Sequence, residues 1–225
     1  MNDIAICLPK KQNLNKTANM LKSISFPVIG YTEDNRSYRI QIEMENVRGK
    51  ILNEEDIVTQ VAIGNYDMGI CGSDHVQEYL AKFKDSSLKV LKNIAKTGKK
   101  IYACCHLSIE KSHNWEEYVS HFNQNFLPMR IVSEYPHLSE TFAISHKIQR
   151  YVIFPSKGRT ENYPPEHAEI VILPITEDMS INALGLKPLD LILDTTLCVI
   201  INQKKYESKD LSSVIDYFAK LENKL

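Results

Sequence analysis

Several short polar segments carry residues that could hold a phosphate or a nucleotide, and each follows a predicted buried strand. Lys10, Lys11 and Gln12 come after the apolar run 4–8, which ends at Pro9. Lysines between a strand and a helix suit an anion, because unpaired backbone N–H groups and the positive end of the helix dipole lie there. Two solvated lysines on an exposed turn would give the same pattern, so both interpretations stay open.

A second segment begins with Cys71 and Gly72, at the end of the apolar strand 68–71. Gly72 permits a sharp turn, and we expect Ser73 or Asp74 to cap the helix that follows. Main-chain groups here could bind a polar ligand, although a purely structural cap would look the same.

Two further loops follow the predicted strands 129–132 and 151–154. A tyrosine in the first loop could stack on a base ring, while Tyr-Pro is also a common lead-in to a helix. The second loop combines small, flexible and basic residues, which suits phosphate or purine contact but also occurs in ordinary surface loops. The candidate residues are Glu134 and Tyr135 in the first loop, and Ser156, Gly158 and Arg159 in the second.

The pattern of residues 167–186 predicts a buried strand followed by a helix. The turn between such a strand and helix is a usual place for an anion-binding loop in an α/β protein. Its turn contains two acids and no glycine, in the order Thr176, Glu177, Asp178, Met179 and Ser180. At 4 Å and an effective dielectric constant of about 20, one carboxylate repels a unit negative charge by roughly 4 kcal/mol. The sequence therefore predicts a phosphate site that has been lost, or one rebuilt for a cation or for sugar hydroxyls.

Composition limits the class of protein. The 225 residues, 43% of them hydrophobic, are enough for one large domain or for two lobes with real cores. A net charge of −1 predicts no nucleic-acid or membrane partner, and no apolar run approaches the roughly 18 residues of a membrane helix. The cysteines lack metal or disulfide spacing and the N-terminus is unlike a signal peptide, which predicts a cytoplasmic protein with reduced thiols.

Strand and helix patterns alternate along the chain and predict an α/β fold with mostly parallel sheets. Strands are expected at 4–8, 39–44, 68–71, 88–94, 100–105, 129–132, 151–154, 169–173, 189–193 and 197–201, with 96–100 as a turn between two of them. Helices are expected at 13–23, after an N-cap at Asp56, from Asp74, at 115–122 and 138–145, beyond Ser180, and at 211–221. The chain should form one lobe from 1–90 and 180–225 and a second from 91–179, with ligands in a cleft at the strand ends.

Five segments, taken in order, resemble the catalytic chain of short-form ATP phosphoribosyltransferase. They read LPKKQNL, DIVTQVAIGNYDMGICGSD, RIVSEYPHL, GRTE and AEIVILPITEDMSINALGL. The resemblance implies a two-lobed fold related to type II periplasmic binding proteins. It also implies the first step of histidine biosynthesis, in which phosphoribosyl passes from 5-phosphoribosyl 1-pyrophosphate (PRPP) to N1 of ATP, assisted by Mg²⁺. A homo-oligomer, or a hetero-oligomer with a regulatory subunit, is implied as well.

The chain departs from the family pattern at residues that hold substrates. The substituted positions are Lys11 and Gln12 for glycine and arginine, Asn53 for arginine, Glu134 for lysine, Arg159 for serine, Leu173 for aspartate, Glu177 and Asp178 for Thr-Gly, and Ser180 for threonine. By resemblance, phosphate and pyrophosphate would contact Lys10, Lys11 and Arg159, the acceptor would contact Gly72, Asp74 and Tyr135, and the ribose would lie within loop 176–180. No single catalytic residue is assigned, because the family reaction depends on positioning and on stabilising the leaving group.

A second hypothesis is a non-catalytic paralogue that acts as a nucleotide or small-molecule sensor, or as a regulatory subunit. The acidic loop separates the two hypotheses, because an enzyme must compensate Glu177 and Asp178 whereas a sensor need not. Hydrolase chemistry is not expected, since the sequence has neither a G-x-S-x-G motif nor an H-x-x-x-H metal pair.

Overall fold

The computed structural model describes residues 3–111 and 115–221. The chain forms two compact units: the first comprises the residues up to Thr97 together with those from Thr196, and the second comprises 98–195. Strands and helices alternate in both units, so the predicted α/β class is confirmed. Within the described residues, no helix is both long and apolar enough to cross a membrane.

The elements are numbered in chain order. The strands are β1 (Ile4–Pro9), β2 (Val28–Ile29), β3 (Arg39–Ile42), β4 (Val47–Leu52), β5 (Met68–Gly72), β6 (Leu88–His106), β7 (Met129–Ser133), β8 (Tyr151–Pro155), β9 (Ile170–Thr176) and β10 (Leu186–Asn202). The α-helices are α1 (Leu14–Ser23), α2 (Glu54–Ala62), α3 (Ser73–Lys82), α4 (Trp115–Gln124), α5 (Pro136–Ser145), α6 (Gln203–Ser208) and α7 (Ser212–Ala219).

The first unit is organised around β1, all of whose residues are buried. β1 pairs in parallel with β4 and β5, while β10 pairs with β5 in the antiparallel direction. Leu14 and Leu21 of α1 recur at helical spacing and are buried in the same core as Ile6 and Leu8. Since parallel strands end at the same edge of a sheet, the loops that follow β1, β4 and β5 leave the unit side by side.

The second unit repeats this arrangement around β7. The strands lie in the order β6-β9-β7-β8, with β7 parallel to both β8 and β9 and β6 antiparallel to β9. Ile131, Ile170 and Ile172 are fully buried in these strands. The strands β7, β8 and β9 end at one edge of the sheet, and the three candidate loops of this unit leave from it.

Two predicted breaks in strands are wrong. Residues 88–106 form the single strand β6, so the turn predicted at 96–100 does not separate two strands. Gly98 has a φ of +78°, which glycine adopts readily, and pairing to β9 begins at the next residue. Residues 186–202 likewise form one strand, β10, instead of two.

The helix predicted beyond Ser180 is also wrong. Residues 182–184 form only a 3₁₀ turn, and Gly185 ends it in the left-handed region before β10 begins. Loop 176–180 therefore does not lead into an α-helix. The predicted helix caps differ as well: Asn53, not Asp56, precedes α2, and Gly72, not Ser73 or Asp74, precedes α3.

Candidate functional site

The loop after β1 places Lys10 at the carboxyl edge of the first unit. The Lys10 N–H donates to the Leu52 carbonyl at 2.9 Å, which ties this loop to the end of β4. The Lys10 ammonium donates to the Tyr38 hydroxyl at 2.7 Å and lies 4.1 Å from the centre of its ring. The exposed Tyr38 side chain therefore positions the Lys10 ammonium group. The hydrogen bond and the adjacent positive charge also lower the pKa of Tyr38.

Lys11, which replaces a glycine of the family pattern, adopts a backbone conformation that favours glycine. Its φ is +62°, in the left-handed region, and it begins the 3₁₀ turn Lys11–Asn13. Both Lys11 and Gln12 are exposed. Lysine at this position places an exposed ammonium group on the loop, at some cost in backbone strain.

Glu54 is a site residue that the sequence analysis missed. Its Oε2 accepts the Gly72 N–H at 2.5 Å, and the Asn13 side-chain amide donates to both of its oxygens at 3.0 Å. One carboxylate thus joins the loops that follow β1, β4 and β5. The available signal was the run of three acids that begins α2, whereas the strand β4 before it was not predicted.

Gly72 lies between two carboxylates. A Cβ added to it would be 2.3 Å from Asp74 Oδ1 and 3.2 Å from Glu54 Oε2, so this position requires glycine. Asp74 is fully buried, and its Oδ2 lies 3.6 Å from His75 Nε2. Cys71 lies behind this edge, because it is fully buried and its carbonyl accepts the Cys198 thiol.

In the second unit, Ser133 connects the loops at the strand ends. Its hydroxyl donates to the Ile172 carbonyl at 2.9 Å and accepts the Tyr135 N–H at 2.8 Å. Tyr135 precedes Pro136 at the start of α5 and is only 4% exposed, as expected for a lead-in to a helix. Glu134 is the exposed member of the pair.

The loop after β8 folds tightly against the loop after β7. The Ser156 N–H donates to the Ser133 carbonyl at 2.8 Å, and the Ser156 and Thr160 hydroxyls lie 2.7 Å apart. Gly158 and Arg159 are consecutive left-handed residues, with φ of +86° and +54°. The loop thus presents an exposed guanidinium group beside small polar side chains, and the buried Thr160 is a second residue that the sequence analysis missed.

The two acids of loop 176–180 are exposed, and each has a neighbour within its own unit. The Thr176 hydroxyl donates to Asp178 Oδ1 at 2.5 Å, and this bond lowers the pKa of Asp178. The Glu177 carboxyl carbon lies 3.8 Å from the Cβ position of Gly98 on β6. The turn is closed by the Met179 N–H, which donates to the Thr176 carbonyl at 3.0 Å, and Ser180 Oγ accepts the Ala183 N–H at 3.4 Å.

The candidate residues divide between the two units. The first unit contains Lys10, Lys11, Gln12, Cys71, Gly72 and Asp74, and the second contains Glu134, Tyr135, Ser156, Gly158, Arg159 and 176–180. No group of three or more histidine, cysteine or acidic side chains among the described residues could hold a metal ion.

Both units place polar loops after parallel strands, which defines an α/β protein of the class that binds ligands at the carboxyl ends of its strands. The HisG family profile, described as ATP phosphoribosyltransferase, matches residues 53–222. The chain belongs to this family, and the sequence-based resemblance is confirmed.

Relatives match the chain along nearly its whole length. The ATP phosphoribosyltransferase of Mesorhizobium japonicum is 25% identical over 227 residues, which cover 97% of each chain. That of Alkaliphilus metalliredigens is 24% identical over 222 residues, covering 97% of this chain and 98% of its own. The fold resembles a chain of the ATP phosphoribosyl transferase (HisG:HisZ) complex from Thermotoga maritima, with a TM-score of 0.72, 19% identity and coverage of 97% and 96%.

Proposed function

We propose that this chain transfers the phosphoribosyl group of PRPP to an adenine nucleotide, as the first step of histidine biosynthesis. Family membership supports the reaction class. The observation that carries the proposal for this divergent chain is the left-handed backbone of Lys11. Lysine and glutamine replace the glycine and arginine of the family pattern, so the cation of this loop moves to position 11, where it is exposed. This arrangement suits a site rebuilt for an anionic substrate.

In the proposed reaction, N1 of the adenine ring forms a bond to C1 of PRPP as the bond from C1 to the pyrophosphate oxygen breaks. The electron pair of the broken bond leaves with pyrophosphate, so negative charge accumulates on the leaving group. Lys11 and Arg159 are the exposed cations that we assign to the phosphate and pyrophosphate oxygens, with Lys10 as a third contact. Fixed cations stabilise such a leaving group without requiring a protein nucleophile.

We assign the acceptor to the edge formed by Gly72 and Asp74, in front of Cys71, with Glu134 and Tyr135 as further candidates. Glu54 supports this assignment because it fixes the Gly72 N–H and is therefore a positioning residue. The loop at Ser156 and Gly158 has small residues and the hydroxyl group of Ser156, which suits contact with ribose or phosphate oxygens. Loop 176–180 is proposed to surround the ribose. Carboxylates such as that of Glu177 readily accept hydrogen bonds from ribose hydroxyl groups.

Mg²⁺ is proposed to arrive bound to PRPP, since it prefers phosphate oxygens with one or two carboxylates. We also propose that the protein forms an oligomer, either with itself or with a regulatory subunit. The Thermotoga maritima structure, an ATP phosphoribosyl transferase (HisG:HisZ) complex, supports the second form.

The test is a calorimetric titration of the purified protein with magnesium–PRPP, then with ATP and AMP, followed by detection of pyrophosphate release. We expect micromolar binding of PRPP that weakens about tenfold or more in the Lys10→Ala/Lys11→Ala variant. Lys22→Ala, an exposed lysine in the last turn of α1, is the matched control and should bind as the unmodified chain does. Saturable nucleotide binding without PRPP binding or pyrophosphate release would instead identify a sensor or regulatory subunit.

A further inference from the structure

Tyr38 contacts a cation of the proposed site, although no sequence pattern marks it and the proposed reaction gives it no role. Its hydroxyl accepts the Lys10 ammonium group at 2.7 Å, and this group lies 4.1 Å from the centre of its ring. We propose that Tyr38 is a positioning residue, which directs Lys10 to the anionic substrate and leaves the lysine charge available. This inference rests on the proposed function, in which Lys10 contacts phosphate or pyrophosphate oxygens of PRPP.

The end of strand β4 holds the backbone of both residues. β4 pairs with β1 on one side and with β3 on the other. The Ile51 N–H donates to the Tyr38 carbonyl at 2.8 Å. The next residue, Leu52, accepts the Lys10 N–H at 2.9 Å. The contact between the two side chains therefore reaches across the end of β4 from fixed backbone on both sides, at the edge where parallel sheets bind their ligands.

The backbone conformation of Tyr38 is strained. Its φ is +56°, in the left-handed region, which is unfavourable for a residue with a Cβ and rare for a bulky side chain. Strained residues concentrate at ligand sites, where the surrounding contacts hold them in place. The residue is 37% exposed, so burial of the ring in the core does not account for the strain. The strained conformation instead places the ring against the Lys10 ammonium group.

A neutral phenol orients the ammonium group of Lys10 without cancelling its charge. Among the described residues, no carboxylate forms an ion pair with Lys10, whereas Lys209 is paired with Asp67 at 2.8 Å. An ammonium group has three N–H donors and the Tyr38 hydroxyl accepts one of them, so donors remain for an anion. Because the contact restricts the rotamers of Lys10 before the substrate arrives, binding costs less conformational entropy.

The experiment measures binding of magnesium–PRPP and of inorganic pyrophosphate by calorimetry. We expect Tyr38→Leu to weaken both by about three- to tenfold, the usual effect of leaving one long side chain to be ordered on binding. Tyr38→Phe keeps the ring but loses the hydroxyl, so its affinity should lie between those of Tyr38→Leu and the unmodified chain. Tyr206→Phe, which removes the hydroxyl of another exposed tyrosine of the first unit, is the matched control and should bind as the unmodified chain does.

Two readouts separate positioning of Lys10 from a merely structural role of Tyr38. In a Lys10→Ala background, Tyr38→Phe should cause no further loss of affinity, because the group that it positions is absent. In the unmodified chain, affinity should fall at alkaline pH as the Tyr38 phenol ionises, since the phenolate neutralises Lys10. Lys10 and the nearby Arg36 lower the pKa of Tyr38, so this step should lie below the ordinary range of tyrosine, and Tyr38→Phe should lack it.

The outcomes distinguish this inference from the proposed function. If the unmodified chain binds PRPP and Tyr38→Leu binds it equally well, the role of Tyr38 is excluded and the function stands. If PRPP does not bind but pyrophosphate binds in a Tyr38-dependent manner, the function is excluded and the positioning role stands. Binding of neither compound would overturn both. An equal loss from Tyr38→Phe in the Lys10→Ala background would also overturn the inference, because Tyr38 would then act without Lys10.

Discussion

The carboxylate of Glu54 accepts the backbone N–H of Gly72 at 2.5 Å, so the first residue of α2 fixes the end of β5. The same carboxylate also accepts the side-chain amide of Asn13, which is buried. We predict that Glu54→Ala lowers the free energy of unfolding by about 1–3 kcal/mol, because it removes an acceptor shared by two partly buried donors. Urea denaturation measures this change.

Glu55→Ala is the matched control for Glu54→Ala. Glu55 is the next acid in the first turn of α2, and it is exposed. Its removal should change stability by no more than about 0.5 kcal/mol, as is usual for surface positions. Equal losses for both variants would show that the charge of the helix turn, and not the bond to Gly72, accounts for the effect.

Lys11→Gly should separate stability from binding. Lys11 has a φ of +62°, which costs a residue with a Cβ about 1–2 kcal/mol, whereas glycine adopts this conformation readily. We therefore predict a gain of about 0.5–1 kcal/mol in unfolding free energy, after the extra chain entropy of glycine is subtracted. Affinity for PRPP should fall in the same variant, since the ammonium group is lost.

Lys22→Gly provides the comparison, because Lys22 lies in the last turn of α1. Glycine within a helix is destabilising by about 1 kcal/mol relative to good helix formers, so this change should have the opposite sign. A loss of stability in Lys11→Gly as well would mean that the lysine side chain stabilises the loop by more than its backbone strain costs.

The pair Thr176 and Asp178 predicts a measurable titration. The Thr176 hydroxyl and a local backbone hydrogen bond favour the charged carboxylate and lower the pKa of Asp178. A carboxyl group whose pKa is lowered by folding stabilises the folded loop above its ordinary pKa, and that contribution is lost as the pH falls through the lowered value. The bond is therefore fully present at neutral pH.

Thr176→Val should raise the pKa of Asp178 towards its ordinary value, because valine keeps the shape but lacks the hydroxyl. Carbon-detected NMR titration of the Asp178 carboxyl group measures this directly. Asp210, whose pKa is lowered by Ser212, serves as the internal reference and should not change. An unchanged pKa of Asp178 would show that the backbone hydrogen bond alone sets it.

The cysteines should be unreactive in the folded protein. All five are buried, and burial raises the pKa of the Cys7 and Cys71 thiols and that of Cys104 to about 12. Because the thiolate is the reactive species, an aromatic disulfide reagent at about pH 8 should label none of them until the protein is unfolded. Rapid labelling of one thiol in the native protein would reveal local opening at that position.

Periodicity in the sequence predicted the helices and buried strands that a regular apolar pattern marks. The helical spacing of Leu14 and Leu21 predicted α1, and the apolar run 4–8 predicted β1. It failed where pairing with a neighbouring strand decides the local structure. Lys99 and Lys100 look like part of a turn in the sequence, but pairing with β9 holds them in a strand.

The sequence by itself determined the α/β class, the family and the order of the polar loops along the chain, because apolar spacing and ordered motifs are local properties. Only the tertiary structure decided which side chains meet. It joined Glu54 to Gly72, 18 residues away, and placed Lys99 opposite Thr176. The physical reason is that strand register brings distant residues into contact, and no local pattern specifies that register.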